Sequence, residues 1–173
     1  VRNSLRVAFI GLLALVAIGW LMNQLQQPHN SGAAPDSDVT KTVTLVVDFG
    51  ERSRKPIFNQ DLAGVSSTAT GWDVFKAALL PVAGTGEFPT GFVCRISDWP
   101  TSAEQDCADT PQFNEGHWSY FVTNPNLGPG WVISGQGASA HKPDCGGYEG
   151  WSWVEPGQTP KPPRFETTRR GCK

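Results

Sequence analysis

Gly116-His117-Trp118-Ser119-Tyr120-Phe121, Gly130-Trp131-Val132-Ile133-Ser134 and Glu149-Gly150-Trp151-Ser152-Trp153 are three aromatic runs of strand length, separated by glycine-bearing loops. They decide the fold class. Along a strand successive side chains point to opposite faces, so Trp118 and Tyr120 share one face, as do Trp151 and Trp153. If the three runs lie side by side, they form a sheet with one bulky aromatic side. The stretch from Cys94 to Trp153 holds five of the seven tryptophans and three of the four cysteines, which makes it the centre of the domain. One small sheet with one helix covers only one of its faces, so at least two of the rings are expected to stand partly exposed beside a groove.

Upstream, Thr40 to Phe49 alternates into a strand, with Val43, Leu45, Val47 and Phe49 on one side and Thr42, Thr44, Val46 and Asp48 on the other. The apolar pattern from Ile57 to Val65 is poor and supports only a short second strand. Thr70 is placed to N-cap a helix of about ten residues that Pro81 ends, with Val74, Phe75, Ala78 and Leu79 on its buried face. Phe92 to Ile96 reads as a further short strand.

Composition agrees. Glycine (19) and proline (14) are frequent and charged residues are only 17%, which favours a turn-rich, β-rich domain over a helical bundle. Residues 36–153 carry 14 acidic against 7 basic side chains, whereas residues 155–173 carry 2 against 5. The folded part has no cluster of Lys and Arg, so nucleic acid is not an expected partner.

Residues 7–22 are apolar and follow Arg2 and Arg6. That length falls between a cleavable signal and a full membrane span, and the distance to Gly32-Ala33-Ala34 favours an uncleaved anchor over secretion. The expected organisation is a signal anchor or signal peptide over residues 1–25, a linker over 26–39, a β-rich domain over 40–155 and a Pro-rich basic tail over 156–173. The domain is expected outside the cell membrane. In an oxidising compartment Cys94 and Cys107 are expected to bridge, leaving Cys145 and Cys172 to tie the tail back, although four cysteines allow three pairings.

Trp118, Tyr120, Trp131, Trp151 and Trp153 are the candidate ligand-binding set, because indole and phenol rings offer flat apolar faces and a polar edge to a ring-bearing ligand. Burial as core is the commoner role of such a stripe. Glu149 is either a ligand-binding carboxylate or a turn cap, and the turn role is favoured. His117, His141, Asp144 and Glu149 lack metal-site spacing, so no metal is expected. Gly137-Ala138-Ser139-Ala140-His141 departs from a nucleophile elbow at its last position, and no phosphate or dinucleotide loop is present, so an enzyme is not expected.

Several of these pieces together resemble a known group. They are Val47-Asp48-Phe49-Gly50, the helix led by Thr70-Gly71, Gly91-Phe92-Val93-Cys94-Arg95-Ile96 followed by Trp99-Pro100 and Cys107, Trp118-Ser119-Tyr120, Gly130-Trp131, Ser134 with Gly137-Ala138, and Glu149-Gly150-Trp151. The pattern is similar to exported actinobacterial proteins related to the C-terminal domain of transcobalamin and intrinsic factor, over residues 40–155 and the tail. The resemblance implies an α+β, β-grasp-like domain with one helix on a small mixed sheet. It also implies an extracellular ligand-binding or accessory module linked to corrinoid or cobalt uptake, beside an envelope transport component. A corrinoid would be a ligand there, with no resident cofactor. A structural or protein-interaction module without a small-molecule ligand is the alternative.

Overall fold

The computed structural model describes residues 39–124, 128–168 and 171–172. The expected anchor over residues 7–22 lies outside them. Among the described residues no helix is long and apolar enough to cross a membrane.

The elements run β1 (Thr40–Asp48), β2 (Phe58–Ser66), α1 (Gly71–Ala77), β3 (Val82–Gly84), β4 (Val93–Ile96), β5 (His117–Val122), β6 (Val132–Ile133) and β7 (Gly147–Val154). The class is mixed α+β. Five strands form one sheet in the order β2-β1-β7-β5-β6, while β3 and β4 form a small antiparallel pair. Within the large sheet β1 and β7 run parallel, and the other neighbours are antiparallel. The three aromatic runs therefore do lie side by side, on β7, β5 and next to β6.

β1 forms because its β-branched run fits a strand buried on both sides: Val43, Leu45, Val46 and Val47 are fully enclosed. β2 is longer than its sequence pattern suggests. Its register shifts between Lys41↔Val65 and Val43↔Leu62, which gives β2 one residue more than β1 at that point. Gly64, at φ +75°, lies in the extra residue's stretch, a conformation that costs glycine little. Leu62 and Val65 thus both reach the core at a spacing that simple alternation forbids.

Thr70 caps α1 through a reciprocal box with Asp73. Bonds from Lys76 and Thr70 hold the Asp73 carboxyl at about 2. The helix has seven residues rather than about ten. It ends where Leu79 N–H donates to Lys76 O and Leu80 N–H donates to Phe75 O, each at 3.0 Å. That is a Schellman ending with leucine, at φ +53°, in the place that favours glycine. The expected inward side chain is consequently wrong: Leu79 is 89% exposed, and Leu80 packs against the core instead. Because Leu79 has almost no packing to lose, Leu79→Gly is expected to raise stability by a few tenths to about 1 kcal/mol. A thermal melt checks this, and a fall in stability would contradict the described ending.

One face of the large sheet meets α1 and the β3–β4 pair. There Val43, Leu45, Val47, Trp118, Tyr120, Trp151 and Trp153 pack with Phe49, Trp72, Val74, Phe75 and Trp99. The opposite face is closed as well, which overturns the expectation of an open groove. Val46, Asp48, Phe121, Tyr148, Ser152 and Val154 are all buried. The segment that composition marks as a separate tail lies over Asp48 and Tyr148 on this face. Arg164 donates to Asp48 from its backbone N–H, Nε and a terminal nitrogen at 2.8–2.9 Å. Phe165 lies against Tyr148, with ring centroids 6.3 Å apart. Gly130 N–H donates to Thr167 Oγ1 at 2.7 Å, and Cys172 is bonded to Cys145. Burial pushes the Asp48 carboxyl up, but the Arg164 bonds and charge and the Gly50 N–H outweigh it and leave it below its ordinary value. Residues 156–168, with Cys172 bonded beyond them, are a strap across the sheet rather than an appendix.

Both expected disulfides are present, Cys94–Cys107 and Cys145–Cys172, and none of the described cysteines is free. They place the domain in an oxidising compartment.

Candidate functional site

Four of the five candidate rings lie in the core. Trp118 and Trp151 are 4% exposed and Tyr120 and Trp153 are 9% exposed, so they present no open stacking face. Cross-strand pairing puts Trp118 opposite Trp153 and Tyr120 opposite Trp151. Tyr120 stacks on Trp151 with centroids 4.6 Å apart, and Trp118 meets Trp153 edge-on at 5.5 Å. Trp99, on the loop after β4, continues the chain of rings by an edge contact with Trp153. Edge and offset contacts of this kind suit the aromatic quadrupole.

Trp131 belongs to the other face and does a different job. Its ring lies on Gly150, where an added Cβ would come within 2.4 Å of it. Its indole N–H donates to Phe165 O at 2.9 Å. It therefore fastens the strap to β7.

Glu149 does not cap a turn. It sits in the middle of β7, on the helix side, 1% exposed. The Tyr120 hydroxyl donates to its Oε2, and His141 Nε2 stands 3.3 Å from Oε1, an ion-pair distance whose alignment falls short of a hydrogen bond. Gly71 at the start of α1 closes over both groups: a Cβ there would lie 2.4 Å from the Tyr120 hydroxyl and 2.6 Å from Glu149 Oε2. Lys41, on β1, completes the buried polar cluster. Its ammonium donates to the carbonyls of Ser67, Ala69 and Pro143 at 2.8–3.3 Å.

The electrostatics follow from that geometry. Burial pushes the Glu149 carboxyl up, against the pull of His141, Tyr120 and Lys41. Burial, and then the Glu149 charge, raise the Tyr120 phenol, which stays a donor. Contact with Glu149 raises His141, outweighing burial. Burial lowers Lys41, with Glu149 and Asp144 opposing. The sequence brings His141 and Glu149 together only as possible metal ligands, with Glu149 read separately as a ligand-binding carboxylate or a turn cap. Among the described residues no group of three or more His, Cys, Asp or Glu side chains converges on a metal position. His117 is on β5, facing the strap side, away from this cluster.

Lys41 and Tyr120 belong to the cluster for a reason only partly visible in sequence. Odd positions of β1 and β7 and even positions of β5 share the helix face, and the register Leu45↔Glu149 and Val122↔Glu149 centres that face on the carboxylate.

Openings in the described surface flank the closed core. A groove of about 400 Å³ runs between the strap and the ends of β1 and β7, lined by residues that include Asp48, Ser152, Glu155, Lys161 and Arg164. A larger open cleft of about 680 Å³ lies beyond Trp99 and Trp153. Its wall carries Glu104, Asp106, Asp109 and Glu115 against Arg52, the one cation among its described lining residues, and the amides of Gln105 and Asn114 add polar groups. Arg52 is engaged with Glu104 at 3.2 Å. The indole N–H groups of Trp99 and Trp153 and the side-chain Oε1 of Gln105 are buried without a hydrogen-bond partner among the described residues. Sequence reading placed no site on this loop, because its acidic residues are scattered over a stretch with no periodicity.

The sequence matches no protein-family model and no curated protein.

Proposed function

We propose that this chain is an exported binding module of the cell envelope, built on a β-grasp-like domain and held at the membrane by its N-terminal segment. It binds its ligand at the acidic cleft rather than on the aromatic strands. The observation that carries this reading is the cleft itself: about 680 Å³, open, and walled by four carboxylates beside Trp99 and Trp153. Pockets of this volume suit small organic ligands, and the excess of negative charge favours one that bears positive charge. The two disulfides support a role outside the cytoplasm. The resemblance to the C-terminal domain of transcobalamin and intrinsic factor supplies the ligand class, a corrinoid handed to or from an envelope transport component. The buried polar cluster and the closed ring stack serve the scaffold, and no residue is assigned a catalytic role.

A second reading, a protein-interaction module, draws support from the enclosure of Trp118, Tyr120, Trp151 and Trp153, since no ring face is left for a flat ligand. Equilibrium dialysis with cobinamide, cobalamin and cobalt chloride separates the two, with tryptophan fluorescence as a second readout. Cobinamide, which lacks the nucleotide phosphate and is cationic, is expected to bind more tightly than cobalamin, and added salt should weaken it. Glu104→Gln with Asp106→Asn should reduce that binding severalfold without unfolding the domain. Absence of saturable binding by all three would remove the corrinoid reading and leave the interaction module.

A further inference from the structure

The loop between β6 and β7 is held down by the buried cluster, not by packing alone. Ala138 is 2% exposed beneath α1, and its carbonyl accepts from Trp72 N–H at 3.0 Å. The His141 carbonyl accepts from Gly71 N–H at 2.9 Å, and the Pro143 carbonyl accepts from Lys41 Nζ at 2.8 Å. The loop thus supplies acceptors to the first two N–H groups of the helix. Its only side chain aimed at the buried carboxylate is that of His141, whose ring also meets Tyr120 edge-on at 5.8 Å. The His141 side chain is 22% exposed while that of Glu149 is 1% exposed, so the imidazole is the link between solvent and the enclosed charge.

We propose that this loop is a proton-operated latch, closed on the start of α1 while protonated His141 faces Glu149 and released when that proton is lost.

The groups that bear on the pair come from every element around it. They are Lys41 from β1, Tyr120 from β5, Glu149 from β7, and Lys142 and Asp144 from the loop itself. Asp73 of α1 is turned to Thr70 and Lys76. With His141 charged, Glu149 has two cations and a phenol about it. With His141 neutral, the buried carboxylate keeps only Lys41 and Tyr120, and a buried charge with fewer partners is costly.

The direction of the response follows. His141 and Glu149 both hold protons more firmly in the fold than in an open chain, from ordinary values of 6.5 and 4.5. A raised value contributes stability that is fully present below the unfolded value and is lost as pH rises through the folded one. The latch is therefore tight in mild acid and loosens as pH climbs above 6.5 through the raised His141 value. Lys41, lowered from 10.5, acts in the opposite sense, in the alkaline range below that ordinary value.

Amide hydrogen exchange of the full chain, followed by NMR from about pH 5.5 to about pH 8.5 and corrected for intrinsic rates, reads the latch at Gly71 and Trp72. Their protection is expected to fall about tenfold across this range, while that of Ala78, which donates to Val74 O at the helix C-cap, stays constant. His141→Gln should give low protection at Gly71 and Trp72 with no pH slope. Constant protection in the wild type, or an unchanged slope in His141→Gln, overturns the proposal. An equal fall at Ala78 also overturns it, since that is global unfolding. Should the variant fail to fold, the wild-type comparison of Gly71 and Trp72 with Ala78 still decides.

Discussion

Trp151→Ala is expected to cost about 3–5 kcal/mol of stability, a large share of what a domain of this size has, and to do so whether or not a ligand is present. The ring is 4% exposed at the middle of β7, whose neighbours on either side are Val47 of β1 and Tyr120 of β5. It stacks on Tyr120 and meets Phe75 of α1 at 5.4 Å, so it joins the helix to three strands at once. Burying roughly 200 Å² of ring is worth about 5 kcal/mol by area, an upper figure, and the stiff strands around it cannot collapse into the space left. Trp118→Ala should behave alike, since Trp118 is as deeply buried between Phe49 and Trp153. Denaturant unfolding with the disulfides intact gives the number. A loss below about 1 kcal/mol, with a separate loss of ligand binding, would return these rings to a ligand-facing role.

Removing the strap's disulfide by Cys145→Ser with Cys172→Ser should cost between about 3 and 4 kcal/mol in the chain-entropy account. The bridge spans 27 residues in sequence, whereas Cys94–Cys107 spans 13. Doubling a loop adds only about 0.6 kcal/mol, so the two paired-serine variants should differ by less than either effect. Their local consequences should differ more. The Arg164 contacts with Asp48, the Trp131 bond to Phe165 and the bonds of Thr167 to Gly130 and Thr168 to Tyr148 remain without the second bridge, so proteolysis is expected to begin after Thr168 and leave the sheet intact. Limited proteolysis with mass spectrometry locates the cut. Cleavage throughout the domain would mean that the bridge, not the Arg164 anchor, keeps the strap in place.

Much of the scaffold was legible from local pattern. The alternation of β1 and the Thr70 cap depend on neighbours in sequence, as does the Cys94–Cys107 bridge to a lesser degree. What was hidden depends on partners far away. Nothing near Arg164 indicates that it will reach Asp48, so the strap read as a basic tail tied back at its end by a disulfide, and the second face of the sheet read as open. β2 was understated because its bulge at Gly64 breaks the alternation by which strands are recognised. Leu79 was turned the wrong way because helical periodicity does not announce a left-handed residue at the helix end. Glu149 looked like a turn because glycines flank it at Gly147 and Gly150, yet those glycines serve close packing: Gly150 lies beneath the Trp131 ring, and Gly147 follows the turn at Asp144.

The parallel pairing of β1 with β7 has a bearing on how the chain is made. The two strands at the middle of the sheet come from opposite ends of the domain, so the central ladder is among the most non-local contacts the molecule has. Such topologies fold slowly, because the loop must close before the ladder rewards it. Until Gly147–Val154 arrives, β1 has a partner on its β2 side alone, and Leu45, Val46 and Val47 have no second neighbour to shelter them. The same delay makes every fragment that stops short of β7 a sticky, unfinished hairpin.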